Sequence, residues 1–146
     1  MIEQGRYRAW RFVHPDVVFE ENARSGGLQV TPRGRIEMVD GDASIRQSLL
    51  LLLSTSPGER VMRPDYGCSL RRLVFGPNDE TTAGLAIHYV RRAVERWEPR
   101  VEVLAVDAGR DPVHPERLVI ALDYRVRATR RADIIVYPLD LAGEAR

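Results

Sequence analysis

Residues 118–126 show the strict two-residue alternation of a strand that is buried on one face. Large apolar side chains occupy every second position of this segment, at Leu118, Ile120, Leu122, Tyr124 and Val126. Successive side chains of a strand point to opposite faces, so this pattern buries one face of a sheet and leaves the other more polar. Such a strand requires pairing neighbours and a covering layer, and a sheet covered by helices is the expected framework.

Two weaker apolar segments supply the neighbouring strands. Residues 101–107 alternate weakly, and residues 134–139 are apolar with Pro138 near their end, which confines that part to an edge or a terminus of the sheet. The run DPVHP at residues 111–115 predicts a hairpin loop between the first two strands. The three segments therefore predict a small antiparallel meander.

A first helix is predicted ahead of the strands. Ser44 and Gln47 fit a capping box, in which the two side chains satisfy backbone amides at the helix start, and Asp42 is the alternative cap. The apolar positions of one helical face are Ile45, Leu49, Leu52 and Leu53. The Pro-Gly pair at residues 57–58 ends this helix.

A second, longer helix is predicted after the run PND at residues 77–79. Its apolar positions with helical period are Ala83, Ile87, Val90, Val94 and Trp97. Pro99 ends it, because the residue before a proline is driven out of the helical region. Between the helices we predict an irregular segment, with a short strand near residues 61–62 and a helical turn around residues 69–74. The order of elements predicts an α+β domain, with two main helices packed on a three-stranded antiparallel meander.

The first forty residues differ from the rest of the chain. Pro and Gly divide this part into short extended pieces and turns. Its large aromatic residues are Trp10, Phe12 and Phe19. We therefore predict an extended N-terminal arm over residues 1–40, a compact domain over residues 41–140 and a short tail over residues 141–146.

Composition excludes several classes of protein. With 44% apolar and 29% charged residues the chain has the composition of an ordinary globular protein. Its 22 basic residues, all Arg, nearly cancel 21 acidic ones, and a net charge of +1 does not favour nucleic acid as a partner. Arg without Lys suits protein–protein contacts, but genomic base composition is the favoured explanation. No apolar run is long enough to span a membrane and no secretory signal core is visible, so we expect cytoplasmic synthesis and no membrane partner.

The sequence does not predict a metal or cofactor site. His14, His88 and His114 are far apart and lack the spacing of a zinc-binding helix. Cys68 is the only cysteine, and no base is indicated beside it, so a small buried thiol is the expected role. No glycine-rich turn of the phosphate-binding kind is present.

An enzymatic role is not favoured. The candidate carboxylates for glycoside cleavage are Glu59, Asp65, Glu95, Glu98 and Glu102. That chemistry needs two carboxyl groups about 5–9.5 Å apart, one with a raised pKa, and nothing in the sequence singles out such a pair. No catalytic residue is predicted.

Two segments are unusual for a purely structural role. Residues 58–67 (GERVMRPDYG) are dense in charge and turn residues, and residues 97–100 (WEPR) form the corner between the second helix and the first strand. Residues two apart on an extended chain point the same way, so Glu98 and Arg100 are expected to project side by side beside Trp97. On the residues alone, the favoured interpretation of the corner is a simple helix stop with a surface ion pair worth about 0–1 kcal/mol.

Several ordered motifs together resemble the phage gene-25-like baseplate wedge family. These motifs are SIRQS at residues 44–48, LST at 53–55, PGERVMRPDYG at 57–67, LVF at 73–75 and WEPR at 97–100. The resemblance covers residues 34–137. It implies a structural component of the baseplate inner ring, in contractile phage tails, tail-like injection particles or type VI secretion machines.

The resemblance also implies partners. The family's Glu-Pro-Arg corner docks on the helical core bundle of the other wedge proteins, and its sheet accepts strands from the sheath protein and so templates the first sheath ring. The run ERVMRP at residues 59–64 is similar to the phage and extracellular injection branches rather than to the type VI branch. After synthesis, the protein is then expected in the baseplate of such a particle.

The partner-binding residues predicted in this way are Glu98, Pro99, Arg100, Trp97, Arg60, Arg63, Trp10 and Phe12. Trp10 and Phe12 belong to the N-terminal arm, which the compact family pattern lacks and which is expected to contact an adjacent baseplate, tube or hub protein. Some members of the family have been described as lysozymes, so a peptidoglycan-cleaving enzyme is the alternative function.

Overall fold

The computed structural model of the chain describes residues 9–10, 12–13, 27–28, 32–35, 38–39 and 41–143. Residues 1–51 and 52–146 form two compact units. In the first unit, β1 (Ala9–Trp10) pairs antiparallel with β4 (Met38–Val39), and β2 (Phe12–Val13) pairs antiparallel with β3 (Gly27–Leu28). These short strands are extended pieces of the kind that the Pro and Gly pattern predicts.

The first helix begins earlier than the capping-box pattern predicts. Helix α1 runs over Gly41–Ser54, so Asp42 and Ser44 both lie inside it and neither is the N-cap. Ser44 is buried at 2% exposure, whereas a capping Ser stands outside the first turn with an extended backbone. The predicted cap is therefore wrong, but Ile45 and Leu49 are fully buried, as the helical period requires.

The segment after α1 is built from turns. Val61 and Met62 lie in a turn rather than in the predicted short strand. The reason is local, because the amide of Arg63 donates to the carbonyl of Arg60 at 3.2 Å and leaves no extended run for a ladder. The predicted helical turn is confirmed as a 3-10 helix over Ser69–Leu73.

Helix α2 runs over Glu80–Trp97 and is capped by Asp79, whose side chain accepts a hydrogen bond from the amide of Thr82 at 2.9 Å. This hydrogen bond holds the pKa of the Asp79 carboxyl below its usual value. The buried residues of the helix repeat every three or four positions: Thr82, Ala86, Val90, Ala93 and Val94. As predicted, α2 ends at the residue before Glu98 and Pro99.

The predicted meander is a three-stranded antiparallel sheet in the order β5 (Val101–Arg110), β6 (Arg117–Val126) and β7 (Ala132–Asp140). The alternating apolar side chains of β6 are all buried, with 2% exposure or less. Helix α2 packs against β5 and β6. The α+β class is therefore confirmed.

A β-bulge explains why the first strand alternates only weakly in sequence. The register shifts between Val103 and Ala105, so Leu104 is the extra residue. Such an insertion reverses which positions face the core. Val101 and Val103 are sheltered before the bulge, whereas Val106 and Ala108 are sheltered after it.

Among the described residues, none of the helices combines the length and the apolar character needed to cross a membrane.

Candidate functional site

The Glu-Pro-Arg corner (residues 98–100) joins the end of α2 to the start of β5. Its first residue closes the helix, because the amide of Glu98 donates to the carbonyl of Val94 at 2.9 Å. The carbonyl of Glu98 then accepts a hydrogen bond from the amide of Val101 at 3.4 Å. The corner is thus a tight turn, and it passes directly into the sheet.

Within this corner, Glu98 and Arg100 bond to each other through both carboxylate oxygens. Nε of Arg100 donates to Oε1 of Glu98 at 2.5 Å, and Nη2 donates to Oε2 at 2.7 Å. The side chain of Glu98 is only 7% exposed, and that of Arg100 is 28% exposed. Among the described residues, Glu98 is the only charged one in the buried class. The pair is therefore partly withdrawn from water. It differs from the exposed ion pair expected for a simple helix stop.

Arg127, which lies just after β6, donates two hydrogen bonds to the corner. Its amide donates to the carbonyl of Arg100 at 2.9 Å, and its Nε donates to the carbonyl of Pro99 at 3.1 Å. Two consecutive carbonyls of the corner are thereby fixed to the β6–β7 turn. Arg127 was not predicted from the sequence, because a single Arg in a turn forms no sequence pattern that indicates a hydrogen bond to a distant carbonyl.

The structure brings the two unusual sequence segments together. The ring of Tyr66, near the end of the 58–67 loop, packs edge-on against Trp97 with centroids 5.4 Å apart. The guanidinium carbon of Arg60 lies 4.2 Å from the Tyr66 ring centroid, and that of Arg96 lies 4.8 Å from the Trp97 ring centroid. Arg96 also pairs with Asp65 at 3.8 Å. We call Arg60, Tyr66, Trp97 and Arg96 the aromatic ladder, and it ties the 58–67 loop to the corner.

The C-terminal end of the 58–67 loop is anchored where the backbone is most crowded. Gly67 has φ 139°, and a Cβ there would lie 2.6 Å from the carbonyl oxygen of Thr55. The next amide, that of Cys68, donates to the same Thr55 carbonyl at 2.8 Å. Only glycine fits at this close approach.

The hydroxyl of Tyr66 and the thiol of Cys68 both have raised pKa values and stay protonated at neutral pH. Burial raises the pKa of the Tyr66 hydroxyl, which the nearby Arg60 cation partly opposes. Burial also raises the pKa of the Cys68 thiol to about 12, and the side chain is 1% exposed. Cys68 is thus the buried thiol that the sequence predicted, and a protonated buried thiol is a poor nucleophile. The site is equipped for packing and ion pairing.

Among the other predicted partner-binding residues, Arg63 is the one whose side chain the structure describes. Arg63 is an exposed residue of the 58–67 loop. Only the backbone of Trp10 and Phe12 is described, and Phe19 and His14 lie outside the described residues, so the predicted contacts of the arm stay predictions. His114 contacts Glu116 at 3.6 Å. In the part of the chain that the structure describes, no three His, Cys, Asp or Glu side chains form a group that could hold a metal ion.

Comparison with known proteins gives the family. Residues 39–131 match the family of the baseplate wedge protein gp25. The baseplate wedge protein gp25 of Enterobacteria phage T4 is 36% identical over 107 residues, which are 73% of this chain and 79% of the T4 protein. The chain belongs to the gp25 baseplate wedge family. It is accordingly a baseplate component of a contractile tail system.

Solved structures also resemble this gp25-family chain. A Geobacter sulfurreducens protein, named a tail lysozyme, is 41% identical with a TM-score of 0.66, over 75% of this chain and 100% of the other. A chain in the baseplate of the anti-feeding prophage is 24% identical with a TM-score of 0.62, over 89% of this chain and 83% of the other. The second likeness shows a shared fold.

Proposed function

We propose that this protein docks into the baseplate through the Glu-Pro-Arg corner, on a helical surface of the neighbouring wedge proteins. The single observation that carries this proposal is the bidentate Glu98–Arg100 pair, which is buried on the Glu98 side and accessible on the Arg100 side. A buried ion pair adds little to stability, because the desolvation penalty offsets much of the attraction. Its geometry is useful where a partner must be oriented, because a covered charge pair fixes the register of two surfaces.

The surroundings of the corner support a rigid docking element. Arg127 donates hydrogen bonds to the carbonyls of Pro99 and Arg100, and the ring of Tyr66 packs against Trp97. A preorganised surface loses little conformational entropy on binding. Aromatic and Arg side chains are also the residue types that dominate binding energy at interfaces.

The sheet offers a second contact, for which we propose the sheath protein. In the described sheet, β5 and β7 are edge strands that each pair only with β6. An edge strand exposes unpaired amides and carbonyls, so a strand from another protein can extend the sheet. Addition of sheath strands would make this sheet the template for the first sheath ring.

We propose that the protein does not cleave peptidoglycan, although one structural neighbour is named a tail lysozyme. Both carboxylate oxygens of Glu98 are engaged by Arg100. The other carboxylates that the sequence offered, at positions 59, 65, 95 and 102, are exposed. A general acid needs a carboxyl group in an apolar pocket, and these environments differ from that requirement.

Electron microscopy of assembled particles tests the docking proposal. The only copy of the gene carries Glu98→Ala with Arg100→Ala, and the purified variant is checked for folding by circular dichroism. The matched control is Arg91→Ala with Glu95→Ala, which removes an exposed ion pair of 4.0 Å on α2. We expect missing particles or tubes without sheath for the corner variant and normal particles for the control. Normal sheathed particles with the corner variant would contradict the proposal.

A further inference from the structure

The tip of the 58–67 loop places two adjacent apolar side chains almost entirely in water. Val61 is 94% exposed and Met62 is 91% exposed, the highest values among the large apolar side chains of the described part of the chain. Single exposed apolar residues are common on protein surfaces and need no explanation. Two neighbours on one projecting turn form a continuous apolar knob, which would gain free energy if a partner covered it.

Backbone hydrogen bonds hold this knob in place. The amide of Gly58 donates to the carbonyl of Pro64 at 2.7 Å and closes the loop at its base. The amide of Arg63 donates to the carbonyl of Arg60 at 3.2 Å, and that of Tyr66 donates to the carbonyl of Arg63 at 3.1 Å. The knob is therefore presented by a folded turn, and covering it requires little ordering of the chain.

The charge around the knob is one-sided. Both acidic residues of the loop face cations elsewhere, because Glu59 pairs with Arg71 at 3.8 Å and Asp65 pairs with Arg96 at 3.8 Å. Arg60 and Arg63 flank the knob, and neither forms an ion pair with a residue that the structure describes. The tip thus combines an apolar centre with two cations that pair with no carboxylate of the described residues, although one of them, Arg60, also lies over the Tyr66 ring.

We propose that Val61 and Met62 insert into an apolar groove on a neighbouring wedge protein, and that Asp or Glu side chains border this groove and pair with Arg60 and Arg63. The inference rests on the proposed function, because the aromatic ladder places the knob and the corner on one connected surface. Met suits such a groove, since its flexible thioether adapts to irregular apolar surfaces.

A protein groove fits the knob better than an anionic membrane does. Membrane recognition by charge commonly uses clusters of about four to eight basic residues, whereas two cations flank this knob. Two cations on either side of a small apolar centre match a groove with acidic borders, because opposite charges at the rim of an interface improve recognition.

Site-specific photocrosslinking in assembled particles tests the inference. A photoreactive amino acid replaces Met62, and in the control it replaces Val113, a 77% exposed apolar residue at the tip of the β5–β6 loop. After irradiation, mass spectrometry identifies the crosslinked peptides. We expect a wedge-protein segment that contains both apolar and acidic residues to crosslink to position 62 and not to position 113. The absence of a crosslink at position 62, or a segment without acidic residues, would overturn the inference.

Assembly of variant particles gives a second, independent test. We expect Val61→Ser with Met62→Ser to lower the yield of sheathed particles roughly tenfold or more. The variant removes the two apolar side chains that the partner groove would cover. Arg63→Glu, which leaves the aromatic ladder unchanged, is expected to act in the same direction, and Val113→Ser is expected to leave the yield near that of the natural protein. The changed side chains of the Val61/Met62 variant are exposed, so its thermal unfolding should match the natural protein.

The outcomes separate this inference from the docking of the corner. If the corner variant fails to assemble while both knob variants assemble normally, the knob is wrong and the corner stands. If purified protein sediments with phosphatidylglycerol vesicles and loses this binding on Val61→Ser with Met62→Ser, the knob recognises a membrane and the inference is overturned.

Discussion

The two ends of α2 are fastened to the sheet by different chemistry. At the N-terminal end, Nδ2 of Asn78 donates to the carbonyls of Pro115 and Arg117 at 2.8 and 2.9 Å, and its own backbone carbonyl accepts from Arg110 at 2.7 Å. At the C-terminal end, Arg127 donates hydrogen bonds to the carbonyls of Pro99 and Arg100, and the side chains add the Glu98–Arg100 pair and the aromatic ladder.

This difference shows which end carries more than stability requires. A neutral amide that bonds to two carbonyls is sufficient to hold a helix end against a hairpin. A buried ion pair is a costly way to achieve the same result, because charges lose hydration when they are covered. This cost supports the proposal that the C-terminal end of α2 takes part in docking.

A second contrast lies between two glycines, Gly67 and Gly143, and it provides the largest expected effect on stability. A Cβ at Gly67 would meet backbone atoms of residues 55–57, which cannot move away without displacing the loop. A Cβ at Gly143 would meet only the ring of Phe75, an 82% exposed side chain that can rotate aside. Both glycines have positive φ, at 139° and 79°, so both substitutions also strain the backbone.

We expect Gly67→Ala to lower the free energy of unfolding by about 2–4 kcal/mol, as for other changes that force a backbone clash. Gly143→Ala should cost roughly 1–2 kcal/mol, the cost of a left-handed backbone for a residue with a Cβ. Urea denaturation followed by circular dichroism measures both. Equal losses for the two variants would show that the 58–67 loop yields as easily as the Phe75 side chain, and the knob would then lack a rigid base.

The Glu98–Arg100 pair gives the next largest effect. Arg100→Ala leaves the buried Glu98 carboxylate without its guanidinium partner, and we expect a loss of about 2–3 kcal/mol in the free energy of unfolding. The value lies below that for a fully buried pair, because Arg100 is 28% exposed. The double variant Glu98→Ala with Arg100→Ala removes the stranded charge, so it should be more stable than Arg100→Ala alone.

The same denaturation measurement compares the two variants. A double variant that is less stable than Arg100→Ala would mean that the pair itself stabilises the fold, and the contrast between the two ends of α2 would lose its main support.

Local patterns predicted the parts of this fold that depend on local physics. The alternation from Leu118 to Val126 identified the central strand, and Pro99 identified the end of α2, because each signal acts within a few residues. The weak alternation of β5 was harder to interpret, since the bulge at Leu104 inserts one residue and shifts the pattern.

The predictions that failed involve competition between local signals. Ser44 has the residue type and spacing of a cap, but α1 already begins at Gly41 and Ser44 is buried inside it. Val61 has high strand propensity, but the turn hydrogen bond between Arg60 and Arg63 prevents a ladder. Propensity is a weak prior that the surrounding chain overrides.

The candidate site was predicted in part, because its two segments stood out in sequence while their contacts did not. Glu98 and Arg100 were singled out by their spacing around a proline. The packing of Tyr66 on Trp97, and the hydrogen bonds from Arg127 to the corner, join residues that are far apart in the chain. No periodicity in one sequence encodes such contacts.

The smallest expected effect concerns the neutral fastening at the N-terminal end of α2. Asn78→Ala removes two donated hydrogen bonds, and we expect a loss of about 1–2 kcal/mol in the free energy of unfolding. Asn78→Asp should cost more, because it replaces the donating amide by a carboxylate that faces the carbonyls of Pro115 and Arg117.

Urea denaturation gives the losses, and electron microscopy gives the fraction of sheathed particles. Since this end is assigned to folding alone, Asn78→Ala should still yield sheathed particles, whereas the corner variant should not. Failure of Asn78→Ala to assemble, at a stability equal to that of a variant that does assemble, would show that both ends of α2 take part in docking.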